Sequence, residues 1–170
     1  FGLPGTGPDQ HYLVYRELAT SLENDLLLIC PLVENIRRTA ARFRYYNDDA
    51  GNRQCFAKPY FQLNSRDELE LFHVPPKKEP VDESKLSADD RAHVDRVTRY
   101  PILGDLLVKT NLIGLAHKIR NKDPYPEYHR ADDPAWRVMQ AILSRWIGEH
   151  SQPVMVAPLP FYCHVEEMQS

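Results

Sequence analysis

The sequence predicts an α/β fold in which helices pack on a parallel sheet. Three observations predict it. Leu26 to Arg38 reads LLLICPLVENIRR, an apolar run that stops at Glu34 and Asn35. A continuous apolar run of this kind reads as a strand buried on both faces. Before it, a glycine-rich turn leads into a helical pattern, giving the turn–helix–strand order of an α/β unit. A second apolar run, Pro153 to Pro160, follows a long amphipathic helix pattern. The polar pair Glu34-Asn35 would stand just past the first strand, where open α/β sheets hold their ligands. The plainer alternative is that the two residues only cap the following helix.

With 170 residues the chain can bury the core of one domain. Hydrophobic content of 42% and charged content of 26% are ordinary for a globular protein. A net charge of -3 gives no reason to expect a nucleic-acid or membrane partner. No apolar run is long enough to span a bilayer. Cys30, Cys55 and Cys163 lie far apart and form neither a zinc pattern nor a disulfide framework. Cys30 is expected in the core, and the cysteine usage fits a reducing, cytoplasmic setting. The chain opens on Phe1 and a glycine-rich turn that more often follows a strand, so a piece cut from a longer chain is expected.

The elements follow in order. Gly2, Gly5 and Gly7 suit a turn with positive φ or close backbone approach. They do not spell GxGxxG and no lysine follows, which argues against a dinucleotide site or P-loop. Thr6 and Asp9 resemble a capping box, and Pro8 suits a first helical turn. The helix should run to about Glu23, with Tyr12, Tyr15, Leu18, Ala19 and Leu22 against the sheet. After the strand, Ile36 to Tyr46 reads as a basic, aromatic short helix. Its Arg37, Arg38, Arg42 and Arg44 form either a solvated face or an anion contact. Asn47 to Asn52 is a turn cluster.

Residues 58–74 alternate as a β-hairpin, Lys58 to Leu63 against Glu68 to Val74, with His73 at a strand edge. Residues 75–132 form a loop- and helix-rich insertion. Within it, Ser87 caps a helix to about Arg99. Ile102 to Ile119 makes a second helical stretch, and Asn121 to Asp132 a surface loop. His117 and His129 have no partners at metal-ligand spacing. Asp133-Pro134 starts a helix whose apolar face is Trp136, Met139, Leu143, Trp146 and Ile147. It ends near Gly148, and the strand Pro153 to Pro160 closes the pattern.

Taken together, Gly2-Leu3-Pro4-Gly5-Thr6-Gly7-Pro8-Asp9-Gln10, Val33-Glu34-Asn35 and Lys58-Pro59-Tyr60-Phe61 resemble the SGNH/GDSL hydrolases, in the branch found with bacterial polysaccharide and sugar-modification enzymes. The resemblance covers most of the chain. It implies one domain over 1–170, a three-layer, flavodoxin-like parallel sheet flanked by helices, with the hairpin inserted. It implies hydrolysis or transfer of an acyl ester, such as one on a carbohydrate, with no metal and no cofactor. Gly5 matches the glycine whose N–H enters the oxyanion hole, and Asn35 the asparagine that donates there. Thr6, Glu34 and Arg37 are the candidate substrate contacts. The family's serine block would precede residue 1, and its Asp-x-x-His block would lie beyond the chain, since His164 lacks an aspartate three residues before it. The piece alone is therefore expected to show no esterase turnover. Val33 and Ile36 depart from the family's usual glycine and aspartate around the asparagine.

Two other readings compete. One is a binding or interaction module that kept the sheet and lost the chemistry, associated with a transferase for sugars or natural products. The other is a phosphate binder using the Gly2 to Gly7 turn at a helix N-terminus.

Overall fold

The computed structural model of the protein describes residues 5–47, 50–95 and 125–160. The expected stretch Ile102 to Ile119, His117, Cys163 and His164 lie outside the described residues.

Helix α1 spans Pro8–Val14 and continues as a π-helical turn, Tyr15–Ala19. Its N-cap is Gly7, and no side chain caps the end. The capping box expected from Thr6 does not form, because Asp9 turns inward to a buried ion pair with Lys58. The helix stops at Ala19, short of Glu23. The wider π turn rotates the following residues off the expected face. Leu18 and Leu22, expected against the sheet, are therefore exposed, while Tyr12, Tyr15 and Ala19 are buried.

Strand β1, Leu27–Ile29, pairs in parallel with β7, Val154–Val156, in the register Leu27↔Val154 and Ile29↔Val156. Leu32 and Leu159 add an isolated parallel bridge. Leu27, Ile29, Val154 and Val156 face the core. Leu28 and Met155 share the other face and are 53% and 54% exposed. Both strands were expected buried on two faces, yet among the described residues only one face is covered. Strand alternation puts Cys30 on the open side with Leu28, which is why this cysteine is exposed and not a core residue.

Helix α2, Asn35–Ala40, follows at once. The expected helix through Tyr46 ends there, and Phe43–Asn47 is strand β2, antiparallel to β3, Arg53–Ala57. Phe43 is buried and pairs with Ala57 in the antiparallel ladder, which holds the segment extended rather than helical. The hairpin of β4, Tyr60–Leu63, and β5, Leu69–Phe72, stands as expected, with Tyr60 opposite Phe72. The Asn64 side chain closes its turn by accepting from the Arg66 and Glu68 amides. His73 is less peripheral than a strand edge. Its φ is +57°, and its ring lies 4.9 Å from that of Tyr60 and 5.4 Å from that of Phe43.

Ser87 caps α3 as expected, but the helix covers only Ala88–Ala92. The chain then forms β6, Val94–Asp95, parallel to β2, because Val94 is drawn into a cluster with Phe43, Cys55 and Leu86. The last helix among the described residues, α4, spans Pro134–Glu149. The Asp133 carboxylate accepts from the amides of Ala135 and Trp136 at 2.9 and 3.3 Å. Its buried stripe is Met139, Ile142 and Trp146, whereas Ile147, expected on that face, is exposed.

The result is a mixed α/β structure with small parallel and antiparallel sheets. Tyr12, Tyr15, Ala19, Ile29, Phe61, Ile142 and Trp146 form the main core, joining α1, β1, β4 and α4. Among the described residues, no helix is long and apolar enough to cross a membrane.

Candidate functional site

Just past β1 the chain turns tightly, with the Asn35 amide bonded to the Leu32 carbonyl at 2.9 Å. The turn delivers Asn35 as the first residue of α2, with Glu34 in the N-cap position but making no cap bond through its side chain. From the other direction, the glycine turn brings Gly5 and Thr6 to the same place. A cavity of about 800 Å³ opens between them. Its polar end is lined by Gly5, Thr6, His11, Asn35 and Arg38. The mostly apolar remainder follows β1 from Leu26 to Cys30, with Leu22 and Trp146 and the polar Glu23 and Asn24 beside it.

Gly5 has φ +71°, and the Arg44 guanidinium occupies the space a Cβ would take. The positive φ reserves the position for glycine, whereas the guanidinium ends a flexible side chain that can move aside. Thr6 Oγ1 lies 2.7 Å from His11 Nε2. Asn35 is 2% exposed. Its Oδ1 accepts weakly from Arg38 at 3.5 Å, and among the described residues no acceptor pairs with its Nδ2. The Thr39 hydroxyl donates to the Asn35 carbonyl at 2.8 Å, fixing the first turn of α2. A buried carboxamide with an unspent donor at a cavity wall can stabilise a developing negative charge without adding one of its own.

Of the residues singled out in the sequence, Gly5, Thr6 and Asn35 share this cavity. Glu34 does not line it, but is tied to it through an ion pair with Arg38. Arg37 is turned elsewhere: its guanidinium donates to Glu127 at 2.7 Å and lies 4.9 Å from the Tyr125 ring. Arg42 pairs with Asp89 and Asp90. Arg44 lies against Gly5 and over the Tyr46 ring. The four arginines thus form neither a bare solvated face nor an open anion site. Nor does α1 offer a phosphate cradle, since its first turn carries the carboxylate of Asp9.

Three features were not legible in the sequence. His11 and Arg38 reach the cavity only because α1 and α2 pack side by side. The third is the pair of Asp9 and Lys58, fully buried behind the glycine turn. Burial pushes the Asp9 carboxyl above its usual range, while the Lys58 charge opposes that rise. On the core side of α1, Tyr12 donates to Glu149 at 2.6 Å. Burial and that carboxylate push its phenol up to about 12, so it stays protonated. Compared with protein-family models, with curated proteins and with solved structures, the chain matches none.

Proposed function

We propose that this chain belongs to an SGNH/GDSL-type ester hydrolase or acyl-transfer domain and supplies the oxyanion-hole half of its site. The observation that carries the reading is that Gly5 and Asn35, far apart in sequence, line one polar cavity end beside β1. In the proposed reaction the ester carbonyl oxygen sits between the Gly5 amide and the Asn35 Nδ2. Negative charge that develops there on nucleophilic attack is met by two neutral, fixed donors. Thr6 is a substrate contact, with His11 orienting its hydroxyl. Arg37 leaves the list of contacts. On this proposal the attacking serine and the Asp-x-x-His pair would be supplied from outside residues 1–170. The finer fold reading, a three-layer flavodoxin-like sheet, is supported by the parallel pairing of β1 with β7 and by the other edge of β1, which pairs with no strand among the described residues.

The test is ester turnover by a protein carrying this chain together with those blocks. Asn35→Ala should lower kcat roughly a hundred- to a thousandfold with KM little changed. Unchanged kcat would remove Asn35 from the chemistry and with it the hydrolase reading. The interaction-module reading is favoured by one observation, the open apolar patch of Leu26, Leu28 and Met155. It predicts no ester turnover even with the serine block present.

A further inference from the structure

The Asp9–Lys58 pair joins the two sequence motifs the proposed chemistry leaves unused, the Asp9-Gln10 end of the glycine turn and the start of the Lys58-Pro59-Tyr60-Phe61 segment. The Asp9 side chain is 0% exposed and that of Lys58 5%. Lys58 also reaches the Pro59 carbonyl at 3.4 Å. Among the described residues, Asp9 Oδ1 is buried with no partner at full hydrogen-bond geometry. A charge pair this dry is a poor source of stability, because desolvating both groups offsets their attraction. Its surroundings indicate another role.

Gly7 is pressed between this pair and α2. A Cβ there would come within 2.6 Å of Asp9 Oδ1, 2.9 Å of the Thr39 amide nitrogen and 3.1 Å of the Arg38 carbonyl carbon. The glycine turn is thus clamped from below by Asp9 and Lys58 and from the side by the backbone that follows Asn35. We infer that Asp9 and Lys58 are positioning residues, which set the separation of Gly5 and Thr6 from Asn35 by holding Gly7 against α2. The inference rests on the reading of Gly5 and Asn35 as one site. Lys58 acts through Asp9, and Asp9 through Gly7. Neither lines the cavity.

The test replaces both charges by apolar groups of similar size, Asp9→Leu with Lys58→Met, since such replacements of buried pairs are commonly neutral for stability. Ile142→Val serves as a control that perturbs the core away from the turn. In nitrogen-15 spectra, the Gly5 and Gly7 amides and the Asn35 carboxamide should shift in the double variant and not in the control. The Gln10 and His11 amides, both bonded to the Gly7 carbonyl at 3.1 Å, should exchange on the order of tenfold faster. Unmoved signals, or changes spread evenly as in the control, would overturn the clamp. Should the double variant not fold, exchange in the unaltered chain decides. A clamped turn exposes the Gln10 and His11 amides only with global unfolding, and local opening at those two sites overturns it. Neither readout needs ester turnover. A failed Asn35→Ala result therefore removes the hydrolase reading without being confused with failure of the clamp.

Discussion

Gly5 shows how a single backbone angle can set a residue. Its φ of +71° strains any residue that carries a side chain, while the adjoining Arg44 guanidinium ends a flexible chain that can move aside. Gly5→Ala should therefore lower stability by about 1–2 kcal/mol from backbone conformation alone, read from the shift in urea midpoint. A shift near zero would mean that the turn relaxes freely. Asp90 supplies a pH-dependent counterpart away from the site. The Ser87 hydroxyl donates to its carboxylate at 2.9 Å and Arg42 pairs with it, which together hold that carboxyl below its ordinary range. A depressed folded value means that the contribution is present above the ordinary carboxylate pKa of about 3.9 and lost as pH falls through the folded value. Asp90→Asn should cost up to about 1 kcal/mol near neutral pH, given its partial exposure. The cost should vanish in acid below both values. Equal urea midpoint shifts at both pH values would contradict this account.

At the scale of elements, legibility followed the range of the interactions that decide each one. The start of α4 was readable because its cap is local: Asp133 holds two amides within three residues of itself. Asp133→Ala should cost about 1 kcal/mol, visible as a lower melting temperature with faster exchange in the first turn of α4. A change confined to other segments would deny the cap its role. The hairpin of β4 and β5 was readable for the same reason, since Asn64 organises its own turn. The pair β2 and β3 was not, because a run of arginines and aromatics reads as a basic helix until Phe43 finds Ala57 across the ladder. The end of α3 was misplaced because burial of Val94 on Phe43 and Cys55, remote in sequence, outweighs helix continuation. The site divided along the same line. Gly5 and Asn35 stood out as a turn glycine and a strand-end asparagine. His11, Arg38 and the Asp9–Lys58 pair depend on which elements become neighbours, a property no local pattern carries.

For the molecule as a whole, the two faces of the β1–β7 pair make the sharpest argument. Ile29 is 5% exposed and joins Tyr12, Phe61, Ile142 and Trp146 in the main core. Ile29→Ala should accordingly cost about 2–5 kcal/mol. Leu28 and Met155, one step along each strand, lie on the open face. Here truncation to alanine should fall within about 0.5 kcal/mol, as for most surface positions. Parallel sheets are almost always covered on both faces, so the three-layer proposal requires a further layer over Leu28 and Met155 in a protein that carries the serine and Asp-x-x-His blocks. In that protein Leu28→Ala should cost about 2 kcal/mol or more, measured by denaturant unfolding beside the same substitution in residues 1–170. A small cost in both settings would leave the sheet with two layers, and the flavodoxin-like reading would fall even if Asn35 proved essential to turnover. A large cost in both would mean that this face is already buried within residues 1–170, so that the added blocks are not what covers it.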